Sequence, residues 1–152
     1  MKRKIFLFVL FMISLALTAC KLDEGDDRDS FTKVDVSKFI KSDNNYVFPK
    51  ETTALELYNT FMFRDAEKTE YNVTGTYKKT ETVTLFGKHT VEETKNITKV
   101  NIYRSKTEAS NRFHVDFIAD TGEKFSYCYS WQYHLSNVWN NNKTDGEISI
   151  TF

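Results

Sequence analysis

The side chains whose types best suit chemistry are a cysteine, a histidine and an aspartate in the last third of the chain. Hydrophobic residues alternate on both sides of Asp120-Thr121-Gly122, a pattern typical of two antiparallel strands joined by a short turn with Gly in the left-handed conformation. The register that pairs apolar side chains with one another places His114 opposite Cys128, with Asp116 next along the same face. A thiol, an imidazole and a carboxylate in this order are the groups of a nucleophilic catalyst.

The surroundings of these groups favour another interpretation. Ser126 and Ser130 share their face of the predicted hairpin, which indicates a face turned to solvent. No motif for an oxyanion-binding loop or a Gly-x-Ser-x-Gly turn accompanies them. We therefore predict a protein that is not an enzyme, with a Cys128/His114 enzyme as the less favoured alternative.

Metal and cofactor chemistry has little support in the sequence. The three histidines, His89, His114 and His134, match no spacing of metal ligands. A Gly-rich phosphate-binding loop is also missing. We therefore predict no metal site and no cofactor.

The opposite face of the same hairpin carries Tyr127, Tyr129, Trp131 and Tyr133. Aromatic residues facing an apolar strand belong first to the core. They also form our candidate binding site, because small barrels hold apolar ligands and tyrosines supply both stacking surface and hydroxyl groups. Trp139 and the asparagines that follow it could equally present a surface to a glycan or a protein partner.

The N-terminus has the three parts of a secretory signal. Lys2, Arg3 and Lys4 precede an apolar run over residues 5–16, which is too short for a permanent membrane helix. Leu17-Thr18-Ala19-Cys20 follows, and it resembles the lipobox of bacterial lipoproteins. The resemblance implies that Cys20 receives a diacylglyceryl group and becomes the first residue of the mature protein, held on a membrane by its acyl chains.

These features divide the chain into a signal peptide (1–19), a lipidated cysteine with a flexible acidic tether (20–30) and a single β-rich domain (31–152). The residue after the cysteine is Lys21, and acidic residues follow it, a composition similar to the surface-export signals of Bacteroidetes lipoproteins. The resemblance implies the cell envelope, at the periplasmic or surface face of an outer membrane. Without the signal the chain has 18 basic and 21 acidic residues, a balance that argues against nucleic acid.

The domain is rich in residues that favour strands. Tyr71, Val73, Tyr77, Val83 and Leu85 all occupy odd positions and predict one core face of a strand. A three-residue turn over 87–89 would then set Leu85 opposite Val91, and a later change of parity predicts a bulge near Thr98. We interpret residues 137–146 as a loop and the end of the chain as a last strand.

Residues 52–66 are ambiguous. Thr53 and Glu56 could form the capping box of a helix, whereas the abundance of Thr, Tyr and Phe favours strands, the interpretation we adopt. The predicted fold is all-β, an antiparallel barrel or sandwich of six to eight strands. The alternative is an α+β fold with a helix at 52–66 packed on a β-meander. The pattern of Leu55, Leu57, Phe61 and Phe63, followed by Gly75-Thr76-Tyr77, resembles the opening strands of small lipocalin-like barrels, which implies the first fold.

Taken together, the sequence predicts a membrane-anchored envelope lipoprotein that binds a small apolar ligand, a glycan or a protein and catalyses no reaction. The alternative within the same class is an inhibitor of a hydrolase, a role that small lipid-anchored β-domains can fill.

Overall fold

The computed structural model describes residues 34–84, 86–108, 110–135 and 137–152, and Val34–Phe152 forms one compact unit. The predicted signal peptide, the lipidation site Cys20 and the tether lie outside the described residues.

The described part of the chain is dominated by one antiparallel sheet of eight strands, in the order β1-β2-β8-β3-β4-β5-β6-β7. This confirms the predicted all-β class and its number of strands. The strands are β1 (Ile40–Ser42), β2 (Asn45–Phe48), β3 (Glu70–Thr84), β4 (Lys88–Lys106), β5 (Ser110–Ala119), β6 (Lys124–Gln132), β7 (Asn137–Asn141) and β8 (Glu147–Thr151).

One helix, α1 (Ala54–Arg64), lies between β2 and β3, so the strand interpretation of residues 52–66 is wrong. The Thr53 hydroxyl accepts a hydrogen bond from the Glu56 amide, and the Glu56 carboxylate accepts one from the Thr53 amide. This capping box satisfies two amides that a helix start leaves open. The buried Thr60 hydroxyl donates to the Glu56 carbonyl, so this polar group is satisfied within the helix.

The sheet curls around α1 and encloses an aromatic core. Phe61 of the helix is 1 % exposed and its ring lies within 6.1 Å, centroid to centroid, of rings on β2, β3 and β5 and of the last residue of the chain. A flat sheet could not bring these strands to one side chain. The rings around Phe61 are those of Phe48, Tyr71, Phe117 and Phe152.

The β5–β6 hairpin has the predicted register. Val115 pairs with Tyr127, His114 pairs with Cys128, and Gly122 in the turn has a φ of +84°. Because the register places Phe113, Val115 and Phe117 on the core face, a slip by one residue would expose all three.

The β3–β4 pair is irregular where the sequence predicted it. β3 shifts register between Asn72 and Gly75, and β4 shifts between Ile97 and Lys99, around Thr98. A Cβ atom on Gly75 would lie 2.2 Å from the Ser149 carbonyl oxygen, so only glycine allows β8 to approach here.

The far end of this pair differs from the prediction. Thr84 pairs with Lys88, which sets Val91 opposite Glu81 and makes the predicted register wrong. The turn lies earlier than predicted, at Phe86 and Gly87, which both have positive φ values, of 57° and 124°. This left-handed backbone places the chain reversal before Lys88 and not at 87–89.

The last part of the chain returns to the sheet. Residues 137–141, predicted as part of a loop, form the edge strand β7 against β6, with a bulge between Ser130 and Trp131. The predicted final strand is confirmed as β8, where Ile148 and Ile150 are fully buried.

Candidate functional site

The structure brings Cys128 and His114 together on the outward face of the β5–β6 hairpin. The Cys128 Sγ lies 2.7 Å from the His114 Nδ1, and Asp116 follows on the same face, 9 % exposed. The Asn142 side-chain oxygen accepts a hydrogen bond from the Cys128 amide. The segment after β7 therefore covers the edge of β6 at Cys128.

The electrostatics of this cluster disfavour nucleophilic chemistry. Burial and, to a lesser extent, the negative charge of Asp116 raise the pKa of the Cys128 thiol above its ordinary value. The reactive form of cysteine is the thiolate, and known nucleophilic cysteines have lowered pKa values. In the described part of the chain no group of three or more His, Cys, Asp or Glu side chains is arranged to hold a metal ion.

The four aromatic residues of the candidate binding site lie along the core face of β6 and just beyond it. Tyr127, Tyr129 and Trp131 are each less than 10 % exposed. The Tyr129 ring stacks on Phe113 at 4.7 Å, and Phe113 stacks in turn on Tyr58 of α1 at 3.8 Å. Both faces of Phe113 are therefore covered by protein rings.

Tyr133 lies past the end of β6 in a short 3-10 turn, Tyr133–Leu135, and its ring meets Trp131 edge-on at 4.4 Å. It is the only one of the four that is not buried. A ligand for this site would have to approach from the Tyr133 end or displace core contacts, and ligand binding by these residues stays a prediction.

The feature that the sequence did not predict is the far end of the β3–β4 pair. β8 pairs with β3 only from Thr74 to Lys78, and β5 pairs with β4 only from Ile97 onward. Residues 79–84 therefore pair only with β4, and residues 88–95 pair only with β3. We call these two stretches the distal ribbon; six residues of strand extend about 20 Å.

The distal ribbon is open to solvent on both faces. Every described residue from Thr80 to Thr94 is exposed. Three of them are large and apolar, with Phe86 at the tip 100 % exposed, Val91 52 % and Val83 41 %. An apolar side chain left fully in water at the end of a projecting element indicates a contact surface.

Two lysines fasten the base of the distal ribbon to the neighbouring loops. The Lys79 ammonium lies 3.1 Å from an Asp145 carboxylate oxygen, in the segment between β7 and β8. On the other strand the Lys95 ammonium lies 3.2 Å from Glu123, in the β5–β6 turn. The hydrogen bonds that each ammonium donates to carboxylates raise the pKa of both lysines. The acceptors are Glu81 and Asp145 for Lys79, and Glu123 and Glu93 for Lys95.

Asp145 joins the base of the distal ribbon to the core. Its Oδ1 accepts hydrogen bonds from the hydroxyls of Tyr77, at 3.1 Å, and Tyr127, at 3.4 Å. Partial burial alone would raise the pKa of Asp145, but the hydrogen bonds from Lys79 and Tyr77 outweigh it and lower the pKa. Burial and the adjacent Asp145 charge raise the pKa of Tyr77 to about 12.

A second exposed apolar cluster lies at the β7 edge of the sheet. Leu135, Val138 and Trp139 are between 41 % and 65 % exposed, and the Arg112 guanidinium lies 5.9 Å from the Trp139 ring centre. Together with the ribbon residues, these account for six of the eight exposed large hydrophobic side chains among the described residues.

The sequence does contain a signal for the distal ribbon, which is the scarcity of apolar residues in this stretch. Between Lys78 and Lys95 only Val83, Leu85, Phe86 and Val91 are large and apolar, and charged residues or threonines occupy both parities. A strand with a buried face needs an apolar residue at every second position, and this stretch does not supply one.

Comparisons with protein families, with curated proteins and with solved structures found no match to this chain. Over the ranges that the structure describes, no helix is both long and apolar enough to cross a membrane.

Proposed function

We propose that this protein is an envelope lipoprotein, anchored through acyl chains on Cys20, that binds a protein partner through the distal ribbon and catalyses no reaction. The observation that carries the binding role is the ribbon itself, a strand pair without a sheet neighbour whose tip exposes Phe86 completely.

The anchor is supported by the sequence of the first 20 residues. A positive start, a short apolar run and Leu17-Thr18-Ala19-Cys20 occur in the order that the lipoprotein signal requires. Two or three acyl chains suffice for stable membrane attachment, because each buried methylene contributes about 0.8 kcal/mol. Radiolabelled palmitate should enter the wild-type protein and not the Cys20→Ser variant; equal labelling would refute the anchor.

Partner binding is supported by the energetics of the ribbon. An isolated two-stranded hairpin is marginal in water, since it lacks a third strand or a packed face. Ion pairs of Lys79 and Lys95 nevertheless hold the base of the ribbon against the neighbouring loops, whereas its outer half is exposed to solvent. Such a segment gains most by pairing with, or packing on, another molecule.

A photo-crosslinking amino acid at position 86 tests this role in living cells. We expect an adduct with a discrete protein on irradiation. The matched control carries the same amino acid at Phe63, which is 69 % exposed on α1 and distant in sequence from the ribbon. If position 86 gives no adduct, or only the pattern seen at position 63, the ribbon is not the binding element.

A hydrolase inhibitor is the second candidate, and one observation favours it. The tip that carries Phe86 is only two strands wide, and so narrow a projection can enter an active-site cleft. Lysozymes and proteases should then be inhibited by the wild type and escape the Phe86→Ala variant. Equal inhibition by both forms would exclude the ribbon as the inhibitory element, and an absence of inhibition would exclude this candidate.

A further inference from the structure

The outer edge of β4 in the distal ribbon is free to accept another strand. From Lys88 to Lys95 the strand has β3 on one side and no strand of the described chain on the other. The free edge ends at Asn96, whose carbonyl oxygen accepts a hydrogen bond from the Asp120 amide in the β5–β6 turn. The edge therefore offers eight residues of strand, of which every second one turns an unpaired N–H and C=O outward.

The charges along this edge are divided into two halves. Lys88 and His89 stand at the tip end, Thr90 and Val91 in the middle, and Glu92 and Glu93 toward the base. Lys95, at the end of the edge, is already bound to Glu93 and Glu123. In an antiparallel copy of the same strand the order is reversed, so each basic half meets an acidic half. A parallel copy in register would instead place like charges opposite each other, which destabilises a strand pair.

We propose that two copies of this protein pair through this edge, antiparallel and about a two-fold axis, so that their ribbons form one four-stranded sheet. The inference deepens the proposed function, on which it rests, by naming the ribbon's partner as a second copy of the chain. A two-fold contact uses the same surface on both copies, and this edge is complementary to itself.

The two-fold axis restricts the possible registers. Strands related in this way place one residue opposite its own copy, so the axis passes through a single position. An axis at Thr90 sets Lys88 opposite Glu92 of the second copy, and an axis at Val91 sets His89 opposite Glu93. An axis at Glu92 would oppose two carboxylates and is excluded.

The length of the free edge selects the same two registers. With the axis at Thr90 or Val91, Gly87 of one copy comes opposite Glu93 or Lys95 of the other, so the tip stops just before the β5–β6 turn. With the axis moved further toward the base, the tip would run into the residues around Asp120. Charge and available length therefore agree.

The apolar residues of the ribbon also fit this arrangement. Val91, half exposed in the single chain, lies at or beside the axis and meets Val91 or His89 of the second copy. In the four-stranded sheet the free edge of β4 disappears, which removes the exposure that proteins otherwise guard against.

Other open edges of the described sheet are less suited to self-pairing. Strand β7 carries no charges that would fix an orientation, and β1 is only three residues long. On β3 the ribbon residue Lys79 is already bound to Asp145 and Glu81.

The contact is small, and an edge of eight residues lies below the area of a standard stable interface. Attachment to one membrane raises the effective concentration of the two copies and favours such a weak contact. The test should therefore use the full chain in its membrane.

Disulfide trapping in intact cells shows which residues of the two copies lie opposite each other. Thr90→Cys and Val91→Cys are each made in a Cys128→Ser background with Cys20 retained. The residue on the axis has a Cα about 5 Å from its copy, within disulfide range. We expect a disulfide-linked dimer for one of the two variants, and its identity gives the register.

The matched control is Thr82→Cys, which lies opposite Thr90 in the same ribbon but on the far strand. In the four-stranded sheet it would be three strand spacings, about 14 Å, from its copy and out of disulfide range. Monomer at positions 90 and 91, or a dimer equally strong at position 82, would overturn the proposal.

Charge reversal separates pairing from a general loss of structure. If position 90 gives the dimer, Lys88→Glu or Glu92→Lys alone should abolish trapping there, and the double variant should restore it. If position 91 gives the dimer, His89→Glu and Glu93→Lys serve as the same test. Failure of the double variant to restore the dimer would refute the charge-directed pairing. If trapping fails while position 86 still crosslinks to a different protein, the proposed function stands with another partner; if neither gives a product, both are wrong.

Discussion

The β5–β6 hairpin and the distal ribbon are both antiparallel strand pairs joined by a short turn, and they differ in what fixes their register. In the hairpin, one face is buried, with Val115 and Phe117 at 0 % exposure. In the ribbon, neither face is buried, and Val83 and Val91 remain in water. Burial selects the register in the first, whereas the turn around Phe86 and Gly87 selects it in the second.

This difference explains why the hairpin stabilises the fold, whereas the ribbon is available to bind a partner. The hairpin cannot move without breaking core contacts. The ribbon can be altered at little expense to the fold, because its outer residues contact only each other. Selection for binding can therefore act on the ribbon independently of stability.

The largest expected effect contrasts one phenylalanine from each region. Phe117→Ala should lower the free energy of unfolding by about 3–5 kcal/mol, because it empties a fully buried site between Phe48, Phe61 and Tyr127. Phe86→Ala should change it by less than about 0.5 kcal/mol, since the ring is fully exposed. Urea unfolding measures both; similar losses would mean that the ribbon tip packs on the fold.

Gly75→Ala should have the next largest effect, because β3 passes beside β8 there. The new methyl group would lie 2.2 Å from the Ser149 carbonyl oxygen, so the strands must separate, at a cost of about 1–3 kcal/mol. The control is Gly122→Ala, which meets no atom within 4 Å and adds only the strain of a positive φ, about 1 kcal/mol. If Gly75→Ala is the milder of the two, the close approach of β8 is not needed for stability.

The sequence predicted the parts of the fold where one face is buried. The pairing of His114 with Cys128, the bulge at Thr98 and the last strand all follow from apolar residues that must point the same way. It failed at α1, where the local capping box of Thr53 and Glu56 prevailed over strand propensity.

The sites were harder to predict than the fold. Periodicity correctly placed Tyr127, Tyr129 and Trp131 on one face but cannot say whether a ligand or the helix covers it, and Tyr58 and Phe113 turn out to cover much of it. The ribbon was missed because Val83 shares the parity of the core residues Tyr71 and Tyr77. Where a sheet ends depends on the length of its neighbours, here β8 and β5. The only local sign of it is the scarcity of apolar residues between Lys78 and Lys95.

The junction between the two regions should respond to pH. Asp145→Asn should lower the free energy of unfolding by about 1 kcal/mol near pH 7, since it weakens one ion pair and two tyrosine hydrogen bonds. The folded pKa of Asp145 is lowered, so its contribution is present above the unfolded value of about 4 and is lost as the pH falls through the folded pKa. Unfolding curves of variant and wild type should therefore converge in acid; a constant difference would contradict this.

Stability at high pH tests the contribution of Tyr77, which donates a hydrogen bond to Asp145 at this junction. The pKa of Tyr77 is raised to about 12, so the contribution of its neutral hydroxyl is present below the unfolded value of about 10 and is lost as the pH rises toward 12. Tyr77→Phe should be less stable than wild type at neutral pH and should lose less stability between pH 10 and 12. A parallel loss in both proteins would assign the alkaline effect to other groups.

The smallest effect on stability should come from removing the outer ribbon. Replacing residues 81–91 by a two-residue Asn-Gly turn keeps the pair Thr80 and Glu92 and the ties from Lys79 and Lys95 to the loops. The free energy of unfolding should stay within about 0.5 kcal/mol of wild type, because every deleted residue that the structure describes is exposed in the single chain. Capture of a second copy of the chain, or of another partner, should disappear. A large loss of stability would mean that the ribbon belongs to the fold, whereas unchanged stability with binding retained would move the binding surface to the β7 edge, where Trp139 is exposed.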